Sequence, residues 1–469
     1  MALTTRPPVS PNRSGWRGLV LRLHFYAGLL VGPFILVATV TGVLYVLTPQ
    51  LESFLYAEQL RVPPAGRELP LADQVRAALA TDPSGDLVAV RPAPEPGATT
   101  RVLFDDGLGE SEHRAVFVDP GTGAVKGSLV SYGTSGVLPF RTTIDQLHRN
   151  LLLGEPGRLY SELAASWLWV VALGGLALWI ARWRTRRASV RDLVRAEPGA
   201  TGRRRIVGVH GSLGTWLLLG ALFLSATGLT WSAYAGENVS ALRASLGWST
   251  PSLEADGHAG HGGGAAGEHD VAPAQLDSAR FDPAQFDTVL AAARAAGIDA
   301  TQIEIAMPAE PGAAWTVTEI KRSWPTEVDA VAIDAGTGAV VDQVRFADYP
   351  LVAKLARWGI DAHMGVLFGV ANQVVLVAFG LGMITLIVLG YRMWWLRRPT
   401  RGRGWRLVPR GRLRSAARPA AVVAVLLAVG LGWFAPLLGI SLLAFLVVDV
   451  VLGRLAARRS RSVRSANRP

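Results

Sequence analysis

Long apolar runs bounded by arginine clusters constrain this chain more than any other feature. A backbone in hydrocarbon must satisfy its own hydrogen bonds and so spans as a helix or a closed barrel. Four stretches hold the roughly 20 mainly apolar residues that a bilayer helix needs: Leu23 to Leu47, Leu163 to Ile180, Ile206 to Ala235 and Met364 to Tyr391. A fifth, Pro419 to Val448, is interrupted at its middle by Gly430, Gly432 and Pro436, and reads as a hairpin of two short spans. The first run follows Arg17 and Arg22 like a signal peptide, but it is too long for a cleaved segment and reads as a retained anchor.

The net charge of +11 would suit a nucleic-acid binder, yet its distribution reports topology instead. Met1 to Arg22 holds four arginines, Ala181 to Arg205 nine, Arg392 to Arg418 ten and Arg454 to Pro469 six, together 29 of the 47 basic residues. These segments contain only two acids, Asp192 and Glu197, whereas the remainder carries 18 basic and 34 acidic residues. The positive-inside rule therefore places all four segments in the cytoplasm and the acidic loops outside. Both ends then lie inside, as six spans require. The chain has no cysteine, which excludes disulfides, iron–sulfur clusters, thiolate zinc sites and covalently attached haem. A redox metal would have to rest on His, Met or carboxylates.

Two halves of the chain share a register. His24 and His210 each open an HxxxG, with Gly28 matching Gly214, and seventeen residues after each comes Thr-Gly, Thr41-Gly42 and Thr227-Gly228. The outer loops match as well: Val118-Asp119-Pro-Gly-Thr-Gly-Ala-Val125 against Ile333-Asp334-Ala-Gly-Thr-Gly-Ala-Val340, each a glycine-containing turn between apolar strands. Short amphipathic helices precede them at Leu71 to Ala80 and Phe286 to Ala296. Asp119 to His148 and Asp334 to His363 are both 29 residues, and His148 to Trp179 and His363 to Trp394 both 31. The unit of repetition is a helix, an outer α+β domain and a second helix. The second copy is longer by a Gly/His-rich insert at 257–270, whose His258, His261 and His269 are candidate metal ligands or parts of a plain linker.

With Leu147-His148-Arg149-Asn150-Leu151-Leu152 ahead of Gly154-Glu155-Pro156-Gly157, the chain from Arg17 to Arg398 resembles the PepSY-associated transmembrane family. The resemblance implies membrane proteins of the bacterial ferric-siderophore reductase type, which hold b-type haems through membrane histidines. It also implies placement in a bacterial cytoplasmic membrane. Departures from the pattern are Met364 after His363 where an arginine is usual, the Gly/His insert, and the last two spans.

Four histidines at matching offsets call for one explanation, since ionisable groups in membranes are functional candidates by default. A haem with two axial imidazoles needs both ligands at one depth. His24 and His210 follow Arg22 and Arg205 at the cytoplasmic ends of their helices, whereas His148 and His363 precede theirs on the outer side. A core of roughly 30 Å separates the two levels, so the pairs are His24 with His210 for an inner haem and His148 with His363 for an outer one. Gly28 and Gly214 would admit a porphyrin or a neighbouring helix, and Arg149 is a candidate partner for a haem propionate or an anionic ferric complex. The bland alternatives are interfacial hydrogen bonding for the histidines and snorkelling for Arg149.

These observations describe an α-helical polytopic membrane protein of about six spans with two extracytoplasmic α+β PepSY-like domains and an internal duplication. The expected order is cytoplasmic N-terminus (1–22), span (23–48), outer domain 1 (49–147), outer histidine segment and span (148–183), and cytoplasmic loop (184–205). The second half follows as span (206–235), outer domain 2 (236–362), histidine segment and span (363–396), cytoplasmic loop (397–418), hairpin (419–453) and tail (454–469). No dinucleotide or phosphate-binding loop is present, so electrons would come from a separate cytoplasmic or quinol donor and leave to a ferric, siderophore-like acceptor. Two other classes fit the same architecture: a membrane-anchored peptide binder or protease inhibitor, and a metal or siderophore transporter.

Overall fold

A computed structural model describes residues 14–81, 83–109, 111–186, 189–253, 281–308, 310, 312–396 and 418–466. His258, His261 and His269 lie outside the described residues. In chain order the helices are α1 (Ser14–Leu30), α2 (Gly32–Leu55), α3 (Ala57–Leu60), α4 (Leu71–Leu79), α5 (Pro139–Asn150), α6 (Glu155–Arg186), α7 (Arg191–Val194), α8 (Gly202–Thr230), α9 (Tyr234–Ser245), α10 (Ala284–Ala295), α11 (Leu351–His363), α12 (Gly369–Trp395), α13 (Arg418–Phe434) and α14 (Pro436–Ala466). The strands are β1 (Asp86–Arg91), β2 (Thr100–Asp105), β3 (Glu112–Val118), β4 (Val125–Tyr132), β5 (Ile303–Ala306), β6 (Trp315–Glu319), β7 (Ala330–Ile333) and β8 (Val340–Val344). Four helices, α2, α6, α8 and α12, are long and apolar enough to cross a membrane.

Contacts divide the chain into two units. The first comprises Met1–Val40, Leu153–Val239 and Ala378–Pro469, and its described elements are helices. Its core gathers Ala27, Val31 and Ile35 from the first apolar run, Ala164 and Trp167 of α6, Met383 of α12, and Ala435 and Leu438 at the terminal hairpin. The first run is expected as one helix, but it breaks at Val31 because Pro33 has no N–H to give the Leu29 carbonyl. The Tyr391 hydroxyl donates to that carbonyl instead, at 2.8 Å. Pro436 opens α14 where the glycine-and-proline interruption predicts a turn, and the chain packs closely enough there that a side chain on Gly439 would strike the backbone of Gly432. The helix then continues past Val448 through the arginine-rich tail, since Ala, Leu and Arg are strong helix formers.

Arg22 and Asp449 join the two ends of this unit. Arg22 is 1 % exposed, and its Nε lies 3.1 Å from Asp449 Oδ1. Counted along the chain, Arg22 is a flanking topological charge; in the fold it is a buried cation set against the Asp449 carboxylate. Glu162, also buried, accepts the N–H groups of Tyr234 and Ala235 at 3.0 and 3.1 Å and so caps the first turn of α9.

The second unit comprises Thr41–Leu152 and Ser240–Val377 and holds one antiparallel sheet of order β4-β3-β2-β1-β5-β6-β7-β8. Each of its two segments contributes a four-stranded meander, and the two meet where β1 pairs β5, Ala89 opposite Ala306 and Val90 opposite Ile305. Alternation along the strands sorts the side chains. Val90, Val102, Phe104, Val116, Val118, Ile305, Val317 and Val331 pack on one face with Leu71, Val75 and Ala78 of α4 and Phe286, Val289 and Ala293 of α10. Leu103, Ala115 and Phe117 point to the other face. Phe286 meets Trp315 edge to face at 4.8 Å. Asp287 of α10 caps α4, accepting the Leu71 and Ala72 N–H groups at 2.7 and 3.1 Å, a task that Pro70 at the N-cap leaves undone. The two matching turns share one geometry: Gly121 N donates to Asp119 Oδ1 and Gly336 N to Asp334 Oδ1, both at 2.8 Å, with Gly123 and Gly338 at φ 72° and 70°. Only glycine adopts that φ at no steric cost.

Truncating Asp449→Ala takes the carboxylate away from the buried Arg22 guanidinium, at a cost of about 3–5 kcal/mol. In detergent, its thermal unfolding should fall well below wild type, while Arg22→Met/Asp449→Leu, which removes both charges, recovers most of the loss.

Candidate functional site

The helical unit brings His24 and His210 together. Their ring centroids are 6.4 Å apart with the planes at 76°. His24 Nδ1 lies 2.9 Å from the Val171 carbonyl of α6, and His210 Nδ1 lies 3.1 Å from the Leu386 carbonyl of α12. A carbonyl can only accept, so in each ring Nδ1 carries the proton and Nε2 keeps its lone pair. Neither Nε2 has a hydrogen-bond partner among the described residues. Two imidazoles bound through nitrogen to one metal from opposite sides, with bonds of about 2 Å, place their centroids roughly 6 Å apart. The observed separation fits a single iron between the rings. Among the described residues no three His, Asp or Glu side chains converge on a metal-sized site, which leaves this two-ligand arrangement as the one to be explained.

The two hydrogen bonds are built alike. Val171 is 23 residues after His148, and Leu386 is 23 after His363. Four residues beyond each comes a glycine, Gly175 and Gly390, whose N–H is the helical partner of that same carbonyl. A Cβ on Gly175 would stand 2.9 Å from His24 Cε1, and one on Gly390 would stand 3.7 Å from His210 Cε1. Gly175 lets the His24 imidazole approach a carbonyl already engaged in its own helix, while a Cβ on Gly390 would make only an ordinary contact with His210. Their matching offsets were available in the sequence, but only the fold shows that they face the histidines. Of the glycines expected to make room, Gly28 has open space on its side-chain face, with nothing within 4 Å, whereas Gly214 packs against Leu386 at 3.8 Å.

His148 and His363 both lie in the sheet-bearing unit. His148 is near the end of α5, and Leu151 and Leu152 after it hold φ of 56° and 60°, a left-handed turn that leucine adopts only under constraint. Thr41 Oγ1 contacts His148 Nδ1 at 3.0 Å, and Gly42 lets the ring lie close, since a Cβ there would be 3.3 Å from His148 Cε1. His363 ends α11, and the chain turns through Met364 to Phe368 before α12, so the segment from His363 to Trp394 is not one straight helix. Burial, and then the nearby His148, push the His363 imidazole down to about 3, so it is neutral at physiological pH.

Thr41 is a positioning residue that the repeat marked without revealing its task. Arg149 is held by Tyr132, whose hydroxyl accepts from Nη1 at 2.9 Å, and by Asp145 at 3.3 Å. Arg322, not singled out by the sequence, reaches Thr134 and the sulfur of Met364 at 3.1 and 3.2 Å. The sparse polar groups of the apolar helices are taken up by structure: Asn372 donates to the Ala362 carbonyl, Gln50 to Gln373, and Asp449 pairs with Arg22.

The family model of the PepSY-associated TM region matches residues 21–397, and the chain belongs to that family. A comparison with curated proteins finds no match.

The His363 shift has a consequence for stability. An unfolded chain takes up a proton here below the ordinary histidine value of 6.5, whereas the folded chain refuses it until about 3. Stability is therefore lost as pH falls between those values. His363→Gln should flatten this part of the acid dependence, read as a smaller drop in melting temperature on going from about pH 7 to about pH 5.

Proposed function

We propose that this member of the PepSY-associated TM family is a transmembrane electron-transfer protein of a bacterial cytoplasmic membrane. It binds two b-type haems, one between His24 and His210 and one between His148 and His363, and reduces an extracytoplasmic ferric, siderophore-like acceptor. The observation that carries the reading is the opposition of His24 and His210 at 6.4 Å, each with Nδ1 committed to a carbonyl and Nε2 directed elsewhere. When bound, a b-type haem supplies one-electron oxidation and reduction.

The chain's own residues do the rest. The Val171 and Leu386 carbonyls fix ring orientation and raise the basicity of the ligating nitrogens, as outer-shell acceptors do at metal sites. Thr41 holds the orientation of the His148 ring. Open space beside Gly28 leaves room for a flat macrocycle next to His24. The bilayer-length helices keep water from the site.

The six-span topology and the duplication belong to this reading. Supporting the duplication are the equal offsets of Val171 and Leu386, the paired glycines four residues on, and the two meanders with superimposable Asp turns. Supporting six spans are the break at Pro436 and the arginine-rich segments on both flanks of the hairpin. The donor is a separate cytoplasmic or quinol component, since no nucleotide-binding loop is present.

Protein extracted from membranes should show a reducible low-spin b-haem spectrum with about two haems per chain. His24→Ala and His148→Ala should each remove one. A folded wild-type protein without haem, from cells supplied with it, would sink the proposal. Thr41→Val should weaken haem binding at the His148 site roughly 10–100-fold and leave the His24 site intact, measured by titrating haem into the depleted protein.

A further inference from the structure

Arg91 and Arg101 stand directly opposite one another on β1 and β2. Like charges in that position destabilise a sheet, and a local rule broken in this way marks a site of function more often than an accident. The two guanidinium groups converge on Gly136, where a Cβ would lie 3.0 Å from Arg101 Nη1 and would overlap Arg91 Nη1 outright. Gly136 holds φ 59° and can be nothing larger.

Their protein partners do not balance the charge. Arg91 Nε pairs with Glu304 of β5 at 2.6 Å, and its Nη2 donates to the Gly133 carbonyl at 3.2 Å. Arg101 has only the Gly136 carbonyl, 2.7 Å from Nη1, and the face of Phe117 at 5.5 Å. Arg91 Nη1 and Arg101 Nε and Nη2 have no acceptor among the described residues. Glu52, within electrostatic reach of Arg101, gives an oxygen to the Leu138 N–H. Burial and then Arg91 push the Arg101 guanidinium down to about 10, against the opposing pull of Glu52.

Both arginines line a cavity of about 220 Å³ at the β1/β5 seam of the sheet. Arg61 stands at its exposed edge, and Ser135 and Gln302 add a hydroxyl and an amide to its wall. Glu95, the carboxylate in the lining, is exposed and free to turn to water. We infer that this cavity is a binding site for a small oxyanion, a carboxylate- or phosphate-bearing molecule, gripped by the Arg91–Arg101 pair and steered in by Arg61. A guanidinium fork matches the oxygens of either group. The cavity lining contains none of the four repeated histidines, so the site is distinct from the proposed haem sites.

The test is calorimetric titration of the purified full-length protein in detergent with citrate and with inorganic phosphate, at constant ionic strength, with chloride as control. Saturable binding of one or both is expected, and which anion binds tighter identifies the oxyanion chemistry. Arg101→Gln should weaken it roughly tenfold or more, the loss of a charge-assisted contact, and Arg61→Gln severalfold. No saturable binding to wild type overturns the inference. So does unchanged affinity in Arg61→Gln, an exposed substitution that leaves the fold intact and decides the matter should Arg101→Gln fail to fold.

Discussion

Two backbone carbonyls, of Val171 and Leu386, each carry a second hydrogen bond from an imidazole in addition to the one their own helix requires. The rest of the histidine site depends on that double use. In hydrocarbon a carbonyl has no water to turn to, and an imidazole has few acceptors to choose from. A side chain four residues after Val171 would crowd the His24 ring, so Gly175 follows, and Gly390 holds the matching place beside His210. Because a carbonyl cannot donate, the tautomer follows as well, and with it the nitrogen left for a metal. Ring separation, glycine spacing and protonation are consequences of one contact made twice.

Other polar groups in the helices obey the same economy. Pro33 and Pro49 each free a carbonyl, and each carbonyl finds a hydroxyl: Tyr391 for Leu29 at 2.8 Å, and Thr48 for Tyr45 at 2.6 Å. Asn372 ties α12 to the end of α11, and Glu162 holds the start of α9. The Arg22–Asp449 pair brings the N-terminal helix and the terminal hairpin together. A buried ion pair adds little net stability compared with apolar packing, but breaking it is costly, so its effect is to specify which helices meet. The hairpin thus has a structural task beside the first histidine, two residues from Arg22.

The sheet solves a different problem. Each four-stranded meander alone would expose a β1 or β5 edge, and an unpaired edge invites association with other chains. Pairing the two edges closes both and creates a seam. Arg91 and Glu304 meet across it, and the cavity opens beside it. Joining the meanders therefore does more than cover hydrogen-bonding groups: it assembles side chains from both segments into one charged recess.

Local pattern determined much of this protein. Runs of apolar residues marked the four long helices, Asp and Gly spacing marked the turns at Asp119 and Asp334, and equal offsets singled out His24, His210, His148 and His363. Those features are periodic or repeated along the chain, and each depends on neighbours a few residues away. Tertiary structure alone decided that β1 joins β5, that Asp287 caps α4, that Asp449 reaches Arg22, and that Gly175 faces His24. Such contacts connect residues distant in sequence, through edges and faces that become neighbours only when helices and strands pack. A single arginine looks the same whether it flanks a membrane, like those of the loops, or lies buried against a carboxylate, like Arg22.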